Sequence, residues 1–330
     1  MAELIELTYP SRGAGRPQIV LLGNGLEYKS GQVSWGQLLD KLTVSDSIPI
    51  SKEQKERIPF PLLYHLISTH TPAPMHLCAR DIQEEENRLS CAMKTMKNET
   101  NDLLDMLPSL DADHIMTTNY SYCIEKAFYP SLDFMKKSVR SRKRFRISDG
   151  ITDGKAIREI NYKIHSGYLA QSNTRKTGLW HIHGECAIPQ SIILGHDRYG
   201  RLLQRIEVAC GKQRYSGKSN EIIRKDFNSW PELFLYGDVY ILGLALGESE
   251  FDLWWLLRRK QRERYADGKV FFYERSPVSG FSETRHLLLR AYGVQLCDAG
   301  CTTVQNYDLF YKKALCEIRD KISSSRITSL

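Results

Sequence analysis

Four short segments of the chain place glycine, amide or imidazole groups directly after apolar runs. These segments are Gly23-Asn24-Gly25, Thr117-Thr118-Asn119-Tyr120, His181-Ile182-His183-Gly184 and Gly243-Leu244-Ala245-Leu246-Gly247. Amide and imidazole side chains can orient water or move a proton, and glycine lets the backbone approach a phosphate. In open α/β sheets, ligands bind at the carboxyl ends of the strands. The pattern therefore predicts a single binding site assembled from four strand ends.

Asn119 and His183 are the candidate catalytic residues. Asn119 can hold a water or a sugar hydroxyl by donating and accepting at once, although its position would also suit a cap of the following helix. His183 can take a proton from water or from a ribose hydroxyl, whereas a histidine taken at random is more often structural. His196 and Tyr199 are further candidates for the wall of a pocket.

The glycine turn after the first apolar run is the candidate phosphate-binding element. Gly23, Asn24 and Gly25 follow residues 18–22, which are apolar and partly β-branched and therefore typical of a buried strand. Glycines at this point, followed by a helix terminus, favour an anionic group. Because Gly-x-Gly also occurs in many ordinary turns, this motif alone leaves the choice open.

The order of apolar runs predicts the elements that must position these residues. Strands are expected at 18–22, 114–118, 178–184, 191–195, 238–245, 269–273 and 294–297, with helices at 250–263, 282–291 and 306–322. Alternating strands and helices favour a parallel sheet covered on both faces. We therefore predict one α/β domain over residues 1–330, with a helical insertion at about 45–110 and an irregular basic insertion at about 131–178.

Composition and charge narrow the class of protein. No apolar stretch approaches the ~20 residues of a membrane helix, so we expect a cytoplasmic protein without a membrane partner. The eight cysteines form no Cys-x-x-Cys pair, which favours reduced thiols and no metal. Much of the net charge of +7 comes from residues 136–146, where seven of eleven residues are basic. This run suits a solvated loop or a subunit contact better than a nucleic-acid site, which stays open.

Taken together, the four strand ends resemble the sirtuin-like, or silent-information-regulator, family over nearly the whole chain. The order and spacing of LGNGL, TTNY, HIHG and ILGLALGESEFD carry the likeness. The resemblance implies a Rossmann-like fold that uses NAD+. It also implies that Asn119 orients water or ribose, that His183 is the general base, and that the cofactor contacts are those in the following set: Gly23, Asn24, Gly25, Thr118, Tyr120, Gly243 and Leu244.

Two departures from the deacylating sirtuins affect the expected activity. The four-cysteine zinc module that helps to form the acyl-lysine cleft is missing, and Ser121 stands where the family often carries aspartate. The chain is therefore more similar to the prokaryotic branch of NAD+ hydrolases in antiphage defence. The alternatives are a non-catalytic subunit that binds NAD+ or ADP-ribose and, less favoured, an NAD-dependent protein deacylase.

The resemblance also suggests partners. Because no separate sensor domain is apparent, we expect the trigger to come from homo-oligomerisation or from another protein, such as a HerA-type ATPase.

Overall fold

The structure of the chain is a computed structural model that describes residues 16–31, 35–43, 49–68, 79–142, 164–211, 229–263, 266–275, 281–301 and 306–327. Its central element is a seven-stranded sheet in the order β3-β4-β2-β1-β5-β6-β7. The strands are β1 (Gln18–Leu22), β2 (His114–Thr117), β3 (Tyr168–Gln171), β4 (Lys176–His181), β5 (Asp238–Leu242), β6 (Val270–Tyr273) and β7 (Gln295–Cys297). All neighbouring pairs are parallel except β3 with β4.

Helices cover both faces of the sheet, as a sheet buried on both sides requires. One face carries α1 (Trp35–Leu42), α3 (Phe60–Ser68), α4 (Ala79–Lys94), α5 (Cys123–Phe128) and α11 (Tyr307–Ile327). The other face carries α7 (His196–Gly211), α8 (Trp230–Tyr236), α9 (Phe251–Arg262) and α10 (Phe281–Ala291). The short helices α2 (Lys52–Arg57) and α6 (Lys137–Arg140) complete the set. The predicted α/β Rossmann-like fold, with a mainly parallel sheet and helices on both faces, is confirmed.

Alternate strand positions feed two hydrophobic cores, one on each face. In β1, Val20 and Leu22 pack with α1, α3 and α11, whereas Ile19 and Leu21 pack with α7, α8 and α9. Every residue of β1 is buried, which explains the continuous apolar run that marks this strand in the sequence.

The region expected to be a helical insertion supplies α2, α3, α4 and a 3-10 helix, Leu104–Leu110, and its described residues contain no strand. The predicted irregular stretch at 131–178 needs correction at its end. There β3 forms an antiparallel edge strand against β4, which begins at Lys176. The remainder of that stretch lies partly outside the described residues.

The strand predicted at 191–195 is also wrong. Pro189–Ser191 form a 3-10 turn, and the buried residues after it join no sheet. Their backbone groups are satisfied individually, because Ile193 N donates to His183 O at 2.8 Å and Tyr120 Oη donates to Ile193 O at 2.9 Å. Such single bonds replace the ladder of a strand.

No helix in the described part of the chain is long and apolar enough to cross a membrane. The cysteines whose positions are described are all free thiols.

Candidate active site

The four segments singled out in the sequence follow four neighbouring strands. Leu22 at the end of β1 pairs with Thr117 of β2 and with Leu242 of β5, and Thr117 pairs with His181 of β4. The chain moves from β1 toward β2 and later returns to β5 on the other side of β1. This reversal is the topological switch point at which doubly wound sheets bind their ligands.

Asn119 lies just beyond β2 with its amide held in one orientation. Nδ2 donates to Gly23 O at 3.2 Å and to the Glu27 carboxylate at 2.8 Å. The side chain is half-buried, and within the described part of the chain Oδ1 has no hydrogen-bond partner. The alternative role of Asn119 as a helix cap does not hold, because Tyr122 occupies the N-cap position of α5 and Asn119 donates to Gly23 and Glu27 instead. Oδ1 is therefore available to accept from a water or a sugar hydroxyl.

Glu27 is a site residue that the sequence reading missed. Its carboxylate is 2% exposed and accepts from Asn119 Nδ2 and, at 2.5 Å, from Ser121 Oγ. Burial raises the pKa of Glu27, while the hydrogen bonds from Ser121 and Asn119 act against that rise. The only sequence signal is an acidic residue directly after the LGNGL turn.

His183 forms a buried pair with Asp252. Nε2–H donates to Asp252 Oδ2 at 2.9 Å, and both side chains are at most 1% exposed. Burial disfavours the imidazolium, but the charge of Asp252 and this hydrogen bond outweigh it, so the pKa of His183 is raised. With Nε2 committed to Asp252, the lone pair for a proton lies on Nδ1.

Asp252, the second missed residue, reaches His183 from the first turn of α9. Its other oxygen, Oδ1, is buried and has no hydrogen-bond partner among the described residues. A buried acceptor of this kind is costly in a folded protein, and it therefore calls for a functional explanation. In the sequence, Asp252 is one of three acidic residues in GESEFD, and no sequence pattern links it to His183.

Tyr199 and Glu250 connect this pair to a cleft. The Tyr199 ring lies edge-on to His183 with centroids 5.4 Å apart, and burial raises the pKa of the Glu250 carboxyl to about 7. Both residues line a cleft of about 750 Å³ whose opposite wall is formed by α1, α2 and α3. That volume lies within the range typical of small-molecule sites. Neither His183 nor Asn119 lines this cleft, and His196 does not line it either.

The glycines at the switch point pack against one another. Gly25 N donates to Gly243 O at 2.8 Å, and Gly23 N donates to Leu242 O at 3.1 Å. A Cβ on Gly23 would meet Gly243 O at 2.4 Å. Close packing of the loops after β1 and β5 therefore requires glycine here, and the amides of Gly23 and Gly25 are already used within the protein. Asn24 is half-buried beside them.

The loop after β5 has an unusual backbone that is braced from two sides. Gly243 has a φ of 68° and Leu246 a φ of 47°. A positive φ is uncommon for a residue that has a Cβ, such as Leu246. Trp254 Nε1 donates to Gly247 O at 3.0 Å, and Arg285 donates to Ala245 O. Left-handed backbone that is held in place in this way clusters at ligand sites.

The other three predicted cofactor contacts are largely buried. Thr118 is 4% exposed, Tyr120 is 2% exposed with its hydroxyl bonded to Ile193 O, and Leu244 is 9% exposed. These three residues are packed inside the protein at the ends of β2 and β5. Their contact with a cofactor stays a prediction.

A second buried network lies beneath Asn119. His181 Nδ1–H donates to Asn119 O, and His181 Nε2 lies 2.8 Å from Glu125 Oε1. The carbonyl oxygen of Asn119 can only accept, so His181 Nδ1 must carry a proton. A second proton then lies between His181 Nε2 and the Glu125 carboxylate. This arrangement fixes the backbone that carries Asn119.

The basic run at 136–146 is described only as far as residue 142. Within it, Arg140 donates to Phe134 O and Met135 O, and Val139 is buried, so part of the run is structural. Residues 143–146 lie outside the described part of the chain. Among the described residues, no group of His, Cys, Asp and Glu side chains has the arrangement of a metal site.

The SIR2-like domain family matches residues 113–297 in sequence. The chain belongs to the SIR2-like family. The matched region contains Asn119, His183, Gly243 and Asp252, and this membership indicates an NAD-related activity. No curated protein matches the sequence.

Proposed function

We propose that the chain is an NAD+ glycohydrolase, which transfers the ADP-ribosyl group of NAD+ to water and releases nicotinamide. The observation that carries this proposal is the arrangement at two adjacent strand ends. A fixed amide with an available Oδ1 on Asn119 follows β2, and His183, which is paired with the buried Asp252 of α9, follows β4. Together they supply a group that orients water and a group that accepts its proton.

The reaction consumes NAD+ and water and yields nicotinamide, ADP-ribose and a proton. The bond between the anomeric carbon and the nicotinamide nitrogen breaks, and nicotinamide leaves with the bonding electrons as a neutral molecule. Asn119 Oδ1 accepts a hydrogen bond from the attacking water or from a ribose hydroxyl. His183 Nδ1 takes the proton, and Asp252 holds the ring and stabilises the imidazolium.

The placement of the dinucleotide follows from the sheet. Ligands cross open α/β sheets at the switch point, which here lies between β1 and β5. One half of NAD+ would then lie toward β2 and β4, and the cleft beside Tyr199 and Glu250 would admit it between the sheet and α1 to α3. Asn24 and the loop after β5 would border its phosphates.

Hydrolysis is preferred to protein deacylation because of the sequence. The eight cysteines include no Cys-x-x-Cys pair, so the four-cysteine module that shapes an acyl-lysine cleft has no counterpart. Without an acyl-lysine cleft, we propose that water accepts the ADP-ribosyl group.

We further propose that the hydrolase acts in antiphage defence, where NAD+ depletion halts the infected cell. Activation would come from homo-oligomerisation or from a HerA-type ATPase partner. Nucleic acid is a second candidate partner for the basic run at 136–146. A steep salt dependence of DNA or RNA binding that is lost on neutralising this run would support that role.

The test of the proposed activity is incubation of NAD+ with wild type, Asn119→Ala and His183→Ala, alone and with lysate of infected cells. Nicotinamide and ADP-ribose are followed, with and without an acylated peptide. We expect the wild type to release both products without peptide, and both substitutions to reduce release by about 10²- to 10⁴-fold. Tight NAD+ binding without cleavage under every condition would favour a binding subunit, and cleavage only with peptide would favour a deacylase.

A further inference from the structure

The Glu27 carboxylate joins two residues that lie on either side of Tyr120. It accepts from Asn119 Nδ2 at 2.8 Å through one oxygen and from Ser121 Oγ at 2.5 Å through the other. Glu27 lies in the turn after β1, 92 positions away from Asn119 in sequence. The contact therefore depends on the packing of β1 beside β2 and has no local origin.

This contact decides which end of the Asn119 amide faces outward. With Glu27 and Gly23 O both accepting from Nδ2, the oxygen must point away from them. Without the carboxylate, the remaining bond to Gly23 O is the longer of the two, at 3.2 Å. Rotation of the amide would then present a donor where the reaction needs an acceptor.

Ser121 occupies the position where sirtuin-like chains often carry aspartate, and its side chain is 1% exposed. Here that serine donates to Glu27. The strand end of β2 therefore carries no carboxylate of its own at position 121, and the turn after β1 supplies one that bonds Ser121 and Asn119.

We propose that Glu27 is the positioning residue that orients Asn119, taking the place of an aspartate at position 121. The inference rests on the proposed NAD+ hydrolysis, because orientation of Asn119 matters only if its oxygen binds water or ribose. Glu27 acts through Asn119 and does not itself touch the reacting atoms. A carboxylate moved back to position 121 should therefore restore what its loss from position 27 removes.

The experiment compares wild type with Glu27→Ala, Glu27→Gln and the double variant Glu27→Ser with Ser121→Asp. The control is Glu232→Gln, since Glu232 is equally buried at 2% exposed and accepts from Ser229 Oγ at 2.7 Å, but lies in α8 on the other face of the sheet. The measured quantities are kcat, KM and, in a fixed concentration of methanol, the ratio of ADP-ribose to methyl ADP-ribose. All are compared per folded molecule.

We expect Glu27→Ala to lower kcat by about 10- to 100-fold with a smaller change in KM, because a misplaced catalytic group mainly costs turnover. The product ratio should shift toward methanol, since water is no longer selected by Asn119. Glu27→Gln, which can still accept from Nδ2, should lose less. The double variant should regain most of the kcat and the product ratio, while Glu232→Gln keeps both.

Wild-type kcat and product ratio in folded Glu27→Ala would overturn the inference, as would a double variant no better than Glu27→Ala. If Glu27→Ala does not fold, the double variant and Glu27→Gln decide the question. A spectroscopic measurement separates this inference from the proposed function. The Asn119 side-chain amide protons, followed by NMR with ¹⁵N-asparagine, should be protected from exchange in wild type and exposed in Glu27→Ala, even if wild type cleaves no NAD+.

Discussion

The carboxylates at the two edges of the sheet are hydrogen-bonded differently. At the amino edge, Asp113 accepts from Arg175 and Arg326 with one oxygen and from Gln18 N with the other. Asp238 likewise has both oxygens bonded, at 2.7 Å to Lys269 N and 3.1 Å to Gln18 Nε2.

At the carboxyl edge, Glu27 is bonded through both oxygens, but two other buried carboxylates among the described side chains are incompletely paired. Asp252 and Glu125 each bond a histidine through one oxygen, while the second oxygen is buried and has no hydrogen-bond partner within the described residues. Leaving a buried acceptor unsatisfied costs about 1–3 kcal/mol. The comparison indicates that the carboxylates of Asp113 and Asp238 at the amino edge hold the fold together, whereas Asp252 at the carboxyl edge is arranged for chemistry.

The largest effect that would sharpen this contrast is expected for Asp252→Asn. The amide keeps the shape but loses the charge that raises the pKa of His183. We expect kcat to fall by about one to two orders of magnitude, less than the ~10²–10⁴ that loss of the base itself would cost. A general base must be unprotonated, so activity is lost as pH falls through the pKa of His183. The acid limb of the pH profile should therefore move to lower pH in Asp252→Asn.

Glu250 requires a control in that experiment, because burial raises the pKa of its carboxyl to about 7 and its charge also acts on the pKa of His183. In Glu250→Gln the acid limb should stay close to its wild-type position if His183 is the base. An acid limb that vanishes in Glu250→Gln and does not move in Asp252→Asn would assign the titration to Glu250.

Asp113→Ala should have the opposite signature. It removes a half-buried carboxylate that bonds two arginines and a backbone amide, so we expect the free energy of unfolding to fall by about 2–3 kcal/mol. Denaturant titration measures this loss. Turnover per folded molecule should stay within about twofold of wild type, and a tenfold loss of kcat would break the distinction between the two edges.

The smallest effect is expected at the helical wall of the cleft. Ser51 caps α2 in a reciprocal pair with Gln54, and the side chains of Lys52 and Lys55 from that helix line the cleft. Ser51→Ala should cost about 1 kcal/mol of local stability. We expect a modest rise in KM for NAD+ with kcat unchanged. Equal KM values, measured together with faster hydrogen exchange in α2, would show that this wall does not contact the substrate.

Periodicity predicted most of the sheet because its strands are buried on both faces. In β5 and β6 every residue is buried, so each appears as an apolar run bounded by polar residues. The same apolar pattern gave a wrong strand prediction at 191–195. Ile192, Ile193 and Leu194 are buried there but form no strand. Burial sets the apolar pattern, and strand pairing needs a free neighbouring edge as well. The edge strand β3 was missed because it lies in a polar, weakly periodic stretch.

The site could be predicted only in part. Asn119 and His183 terminate strands, and strand ends can be found in the sequence. Glu27 and Asp252 could not be found in this way, because their partners are 92 and 69 positions away. Those contacts arise from which strands lie side by side. The glycines at 23, 25 and 243 were found, but their mutual packing gives a reason for glycine that the phosphate motif did not contain.

The most direct test of the central claim, that NAD+ binds at the carboxyl edge, is hydrogen–deuterium exchange of His183→Ala with and without NAD+. This variant should bind NAD+ without consuming it, so exchange reports the bound state. We expect slower exchange at 23–31, 117–123 and 243–250, and no change at 111–114 and 236–239 on the amino edge. Saturable NAD+ binding with protection only at the amino edge, or at neither edge, would contradict the claim.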